Sequence, residues 1–146
     1  MAPMGVATQN IGSKTIHSEL KIAGNIFNLK SLSTYDEESS KRLKKIKYII
    51  IEEVFMVSSE LFTFISKLFQ KIHHNLLEFG GVPILVIGDL LQLPPVKGNQ
   101  VFYSPLWKNF FPLFLKSACH QQNGNEFYKI LQEIRIEQLT QQLLMQ

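Results

Sequence analysis

The stretch that decides the fold is Lys47–Val57, KYIIIEEVFMV. Tyr48, Ile49, Ile50 and Ile51 form a short, mostly β-branched apolar run. That pattern predicts a strand buried on both faces, as in a parallel sheet. The run stops at two adjacent carboxylates, Glu52 and Glu53. Carboxylates are seldom buried without a partner, so the pair marks the end of the strand. The carboxyl ends of parallel strands are where open α/β sheets bind ligands. Two readings of the pair are open on this stretch. One is an acidic strand end that holds a magnesium ion and orients an attacking water; the other is a solvated turn.

Working downstream, Ser58 or Ser59 caps a predicted helix, SELFTFISKLFQKIHHNLL. Leu61, Phe62, Ile65, Leu68, Phe69, Ile72 and Leu76 give it an apolar stripe at helical spacing, ended by Gly80-Gly81. The stripe reads as core. His73 and His74 are adjacent and so point to different sides. A second apolar strand, Pro83–Ile87 (PILVI), closes in Gly88-Asp89. The order strand–helix–strand predicts a right-handed crossover and a parallel sheet. Both acidic ends then fall on one edge of it. Beyond Asp89, Gln92 stands in a run of leucines, and Pro94-Pro95 fix an extended loop.

Upstream, Thr15–Ile22 shows short helical spacing up to Gly24. His17 on that turn reads first as a hydrogen-bonded structural residue. The stretch from Gly24 to Lys30-Ser31 has the spacing of a phosphate-binding loop, but Leu29 stands where the second glycine must be. Gly12–Thr15 also fails on spacing, so both stretches are set aside. Ser31–Ser40 reads as an exposed loop. Lys41–Lys47 (KRLKKIK) reads as a solvated helix face rather than a nucleic-acid contact. Val101–Phe114 is rich in aromatics, which read as packing under a loop rather than a base-stacking surface. Leu113–Ala118 is a candidate short strand, Asn125–Ile136 an amphipathic helix, and Thr140 the cap of a last short helix.

The whole chain sets bounds on these readings. Its 146 residues suffice for one domain with a core, and 45% hydrophobic against 18% charged residues is a globular composition. One cysteine, Cys119, excludes a disulfide framework and a cysteine-rich zinc site and makes a reducing compartment the default. A net charge of +3 is compatible with a polyanionic partner. No segment is apolar for long enough to span a bilayer, and no secretory signal is visible.

The ordered set Ala2-Pro3-x-Gly5-Val6-Ala7, Asn10-Ile11-Gly12, Thr15-Ile16-His17-Ser18, Ile50-Ile51-x-Glu53 and Gly88-Asp89-x-x-Gln92-Leu93-Pro94-Pro95-Val96 runs over nearly the whole chain. It resembles the Pif-type (petite integration frequency) DNA helicases of superfamily one, with the Gly88–Val96 stretch the most diagnostic part. The resemblance implies a partial RecA-like P-loop NTPase domain over residues 1–146, of α/β class, with a parallel sheet flanked by helices. It implies an ATP-dependent DNA helicase moving five-prime to three-prime on single-stranded DNA, with roles in repair, recombination and telomere maintenance. Magnesium and ATP are the implied cofactors. Glu52 stands in the place of the magnesium-binding Asp, Glu53 in that of the catalytic Glu, and Gln92 in that of the glutamine sensing the terminal phosphate. Pro3, Gly5, Thr15 and His17 fall in the segments that touch the DNA strand.

The departures from that pattern are equally specific. The P-loop with its strand, and the second motor domain, are expected to be missing. Met4 replaces a Thr, Glu52 an Asp, His120 an Arg, Gly124 an Asp and Glu137 a Gly. The added methylene at Glu52 moves a carboxylate by about an ångström, a misplacement that can cost on the order of a hundredfold in rate. The expectation is therefore a truncated motor domain that is not competent alone. The alternatives are a non-catalytic module binding single-stranded DNA or protein, and a degenerate gene fragment. The implied location is intracellular, in the nucleus first and the mitochondrion second.

Overall fold

The computed structural model describes residues 1–3, 14–24, 28–31, 36–89 and 93–115. The elements are, in order, α1 (Ile16–Glu19), β1 (Ile22–Ala23), β2 (Lys30–Ser31), α2 (Glu37–Lys44), β3 (Ile49–Ile51), α3 (Ser59–His73) and β4 (Ile84–Val86). Short 3₁₀ turns lie at Val54–Met56, Glu78–Gly81, Val101–Tyr103 and Pro105–Asn109. Two units divide the chain, Met1–Asn109 and Phe110–Gln146. Of the second, 110–115 carry no regular secondary structure. Gly5, Gln92, the second half of the Leu113–Ala118 segment, the predicted helix Asn125–Ile136 and the Thr140 cap lie outside the described residues.

The two predicted strands pair in parallel, with Ile49, Ile50 and Ile51 opposite Ile84, Leu85 and Val86. A further parallel segment lies on the other side of β3. The Met1 amine donates to the Ile50 carbonyl at 2.9 Å, and the Glu52 N–H donates to the Met1 carbonyl at 3.0 Å. Met1 therefore sits in register with Ile51. Ala2 in turn bridges Thr15 in parallel, and its carbonyl accepts from the Ile16 N–H. The spatial order is Thr15, Met1–Ala2, β3, β4.

Burial of this sheet differs from the expectation. Ile49 and Ile51 are buried, but Ile50 is 38% exposed and Leu85 50%. Alternation of this kind means that one face is covered and the other open. A continuous apolar run permits two-sided burial, but the elements packed against the sheet decide whether it happens.

The main core is built on α3. Phe62, Ile65 and Phe69 are fully buried, and Phe62 meets Phe79 edge to face at 5.3 Å. The buried Ser66 hydroxyl accepts the Phe79 N–H at 2.9 Å, satisfying a donor in the turn that covers the helix. Gly80 allows that turn to approach, since a Cβ there would lie 2.5 Å from the Phe69 carbonyl oxygen. The helix ends at His73, earlier than its apolar stripe suggests. His74 adopts a left-handed conformation at the cap, and Leu76 is left 94% exposed. His73 stacks on Phe69 while His74 faces solvent, so the two histidines do diverge.

The N-terminal elements are short, and long-range polar contacts hold them. A four-residue helix such as α1 has no intrinsic stability. The Arg42 guanidinium pairs with the Glu19 carboxylate and donates to the Glu19 carbonyl at 2.9 Å, while Lys21 pairs with Asp36 at 2.5 Å. Ile22, expected in the helix, instead pairs with Ser31 in a β1–β2 ribbon. The Ser31 hydroxyl donates to the Leu20 carbonyl at 2.5 Å, so the end of the glycine-poor loop-like stretch is used as structure. Part of the expected Ser31–Ser40 loop is helix as well. α2 begins at Glu37, with acids in its first turn and Lys41, Arg42 and Lys44 in its last, which complements the helix dipole.

Hydrogen bonds from the Lys21 ammonium and the Ser39 hydroxyl lower the Asp36 carboxyl from an ordinary 3.8 to about 2. A depressed folded-state value stabilises the fold above the unfolded pKa, and that contribution disappears as pH falls through the folded one. Asp36→Asn is therefore expected to be less stable than the parent chain at neutral pH. The gap should close between pH 3.8 and about 2, as read by urea denaturation across that range. A gap that does not change with pH would show that Asp36 acts through packing alone.

Candidate functional site

Every parallel segment of the sheet delivers its carboxyl end to one edge. Pro3, half-buried, leaves the sheet beside β3. Thr15 leaves beside Ala2 and caps α1, its hydroxyl accepting the Ser18 N–H at 3.2 Å. His17 is exposed on that helix. Glu52 and Glu53 follow β3 directly, and Gly88-Asp89 follows β4. The edge thus brings together Pro3, Thr15, Glu52, Glu53 and Asp89. Gly5 and Gln92, expected at the same site, lie outside the described residues.

The backbone at the acidic pair is special. Glu53 has φ 52° and ψ 44°, the left-handed region, and opens the 3₁₀ turn Val54–Met56. A non-glycine residue there costs on the order of 1–2 kcal/mol and persists only where its surroundings enforce it. The enforcing contacts are visible. The Met56 N–H donates back to the Glu53 carbonyl at 3.0 Å, and the Val54 N–H donates across to the Ile87 carbonyl at 3.0 Å. Ladder bonding between the strands thus continues past Glu53 on the far side of the kink. Gly88 makes the close approach possible: a Cβ there would meet Phe55 Cδ2 at 2.9 Å and the Val54 nitrogen at 3.1 Å. The ring of Phe55 is held in turn by Trp107, edge to face at 5.8 Å. Nothing in the residue types Glu-Glu-Val signals this turn; only the pairing with β4 reveals it.

Glu52 and Glu53 are both half-buried, and their side chains make no hydrogen bond or ion pair with other described residues. Two unpaired oxygen donors suit a hard cation such as magnesium, which takes one or two protein carboxylates and completes its shell with phosphate oxygens and water. Among the described residues no group of three or more His, Cys, Asp or Glu side chains converges to cage a metal. The donor set fits a metal shared with a phosphate ligand rather than a structural ion.

Residues 98–100 form a strap tied to the start of α3. The Ser59 N–H donates to the Asn99 carbonyl at 2.8 Å, and Ser58 bridges Gln100. Asn99 donates to the Glu60 carboxylate through its backbone N–H at 3.2 Å and its side-chain amide at 3.0 Å. Partial burial opposes ionisation of Glu60, but backbone N–H groups of Glu60 and Asn99 win and hold its carboxyl below the ordinary value. The strap returns the chain from the Pro94-Pro95 loop to the start of α3. The basic run Lys41–Lys47 is solvent-facing except at Leu43 and Ile46.

Comparison with known proteins gives the family of the chain. A sequence model described as PIF1-like helicase matches residues 1–143. The chain belongs to the PIF1-like helicase family. It is similar to the ATP-dependent DNA helicase PIF1 of Danio rerio, at 29% identity over 99% of this chain and 24% of that protein. The human ATP-dependent DNA helicase PIF1 is also 29% identical, over 97% of this chain and 24% of that protein. Among solved structures, Bacteroides Pif1 bound to single-stranded DNA superposes with a TM-score of 0.82 at 28% identity, over 95% of this chain and 36% of that one. The Bacteroides enzyme with ADP-AlF3 and single-stranded DNA gives 0.81 at 27%. The chain thus spans about a quarter of the length of these curated relatives and about a third of the solved chains. The α/β, RecA-like class expected from the sequence is the class of these neighbours.

The strain at Glu53 predicts opposite effects for two substitutions. Glu53→Gly should raise stability by about 1 kcal/mol by removing the left-handed penalty. Gly88→Ala should lower it by roughly 1–3 kcal/mol by forcing the strand end away from the turn. Urea denaturation of both variants reads this directly. A destabilised Glu53→Gly would mean that the Glu53 side chain contributes more than its backbone costs.

Proposed function

We propose that this chain is the acidic-edge portion of an ATP-dependent DNA helicase motor, a partial RecA-like domain that contacts single-stranded DNA. The single observation that carries the reading is the convergence of Pro3, Thr15, Glu52, Glu53 and Gly88-Asp89 on one edge of one parallel sheet. Support comes from the family membership and from solved relatives whose structures hold single-stranded DNA and ADP-AlF3.

Roles within that reading follow the chemistry of each group. Pro3, Gly5, Thr15 and exposed His17 contact the DNA strand. Glu52 and Glu53 would hold magnesium, which when bound would neutralise charge on the phosphates of ATP. Glu53 also orients the attacking water. Gln92 senses the terminal phosphate. Five-prime to three-prime movement, and work in repair, recombination and telomere maintenance in the nucleus or mitochondrion, are proposed with the family. The 146 residues contain no G-x-x-x-x-G-K-[ST] stretch. Without such a loop ATP lacks the backbone amides and the lysine that cradle its phosphates. The chain by itself therefore binds single-stranded DNA without turning over ATP.

Fluorescence anisotropy with labelled single-stranded DNA tests the binding half. Affinity should fall linearly on a log–log salt plot, and His17→Ala should weaken it severalfold. DNA-stimulated phosphate release tests the other half. The expected rate is background. Release that disappears in Glu53→Gln would show that the chain is a complete catalyst and overturn the non-catalytic half of the reading.

A further inference from the structure

We infer that a cleft on the outer side of α3 is a nucleotide-reading subsite for single-stranded DNA, built to prefer bases that carry an exocyclic amine. The inference rests on the DNA-binding reading above and adds a site outside the residues that reading uses.

The cleft has a volume of about 430 Å³ and lies where Asn28 and Leu29, the first turns of α3 and the two 3₁₀ turns after Gln100 meet. That volume is in the range of small-molecule sites. Three groups on its walls suit a nucleotide, two of them directed at the base and one at the phosphate. Tyr103 is 68% exposed, and its ring lies beside that of Phe102 with centroids 4.9 Å apart and planes tilted by 39°. An exposed aromatic ring stacks a base of any sequence. Lys67 is exposed on α3 and makes no ion pair with the described residues, which leaves its ammonium for a phosphate.

Glu60 supplies discrimination. Asn99 holds its carboxylate through the backbone N–H and the side-chain amide, which fixes the group while leaving acceptor capacity on its oxygens. A carboxylate fixed at a cleft wall accepts from the amine of cytosine or adenine and repels the O4 carbonyl of thymine. The Thr63 and Ser104 hydroxyls, hydrogen-bonded to each other at 3.0 Å, add adaptable donors and acceptors at the same cleft. A carboxylate beside a lysine would be a poor site for a bare phosphate. It suits a nucleotide, whose amine and phosphate lie at opposite ends.

The test is anisotropy of fluorescein-labelled oligo(dC) and oligo(dT) with the full chain. The parent chain is expected to bind oligo(dC) severalfold more tightly. Glu60→Gln should abolish that preference. Tyr103→Ala should weaken both oligonucleotides by about tenfold, while Tyr103→Phe retains binding. Lys67→Gln lies on the exposed face of a helix and leaves the core intact. It should reduce the slope of the log–log salt plot by about one. Unchanged affinity and salt slope in Tyr103→Ala and Lys67→Gln, with the parent still binding, would overturn the subsite and leave the DNA-binding reading standing. Equal binding of the two oligonucleotides by the parent would overturn the amine preference. No binding of either oligonucleotide by the parent would overturn both the subsite and the reading beneath it.

Discussion

Hydrogen bonding on both sides of β3 is the constraint on which the rest of the structure depends. One side takes β4 in parallel register, and the other takes Met1. Parallel pairing forces the carboxyl ends of all these segments to one edge. It therefore brings Pro3 to the neighbourhood of Glu52 although almost fifty residues separate them. It also fixes the distance that the chain must cover between Ile51 and Ile84, and α3 with its buried phenylalanines fills that crossover. The helix caps, the Phe79 turn and the Asn99 strap are answers to a geometry set by three short strands.

The same pairing holds Glu53 in an unfavourable backbone conformation. The Val54 N–H must reach the Ile87 carbonyl immediately after the chain has turned out of the sheet. Gly88 has to be small for that turn to fit. Strain of this size is affordable because the surrounding contacts are distributed over both strand ends and the Phe55–Trp107 pair. It also places two adjacent, half-buried carboxylates at the carboxyl edge of the sheet, where no described side chain neutralises them.

Much of the architecture was legible from residue types. The Tyr48–Ile51 and Pro83–Ile87 runs announced strands, and the stripe from Leu61 to Ile72 announced a core helix. Their order along the chain implied the parallel sheet and the shared acidic edge. Element ends and burial were not legible in the same way. The helix stopped at His73 because His74 could take the left-handed cap, not because Gly80-Gly81 had been reached. α2 extended back over residues that read as loop, because a charge pattern matched to the helix dipole is diluted by serines. Ile22 left its helical pattern because a strand partner, Ser31, lay opposite it.

The amino-acid sequence by itself determined the strands, the main helix, the edge on which the acids lie and the family. Those features follow from local periodicity and from motifs that are contiguous in the chain. Tertiary structure alone decided that the sheet is covered on one face, that Glu53 sits in the left-handed region and that Gly88 is needed for close approach. It also placed Glu60, Lys67 and Tyr103 around one cleft. Each of these depends on which backbone or side chain comes to lie against another across a long sequence separation. A residue's type constrains its own conformation, but its neighbour in space is a property of the whole fold.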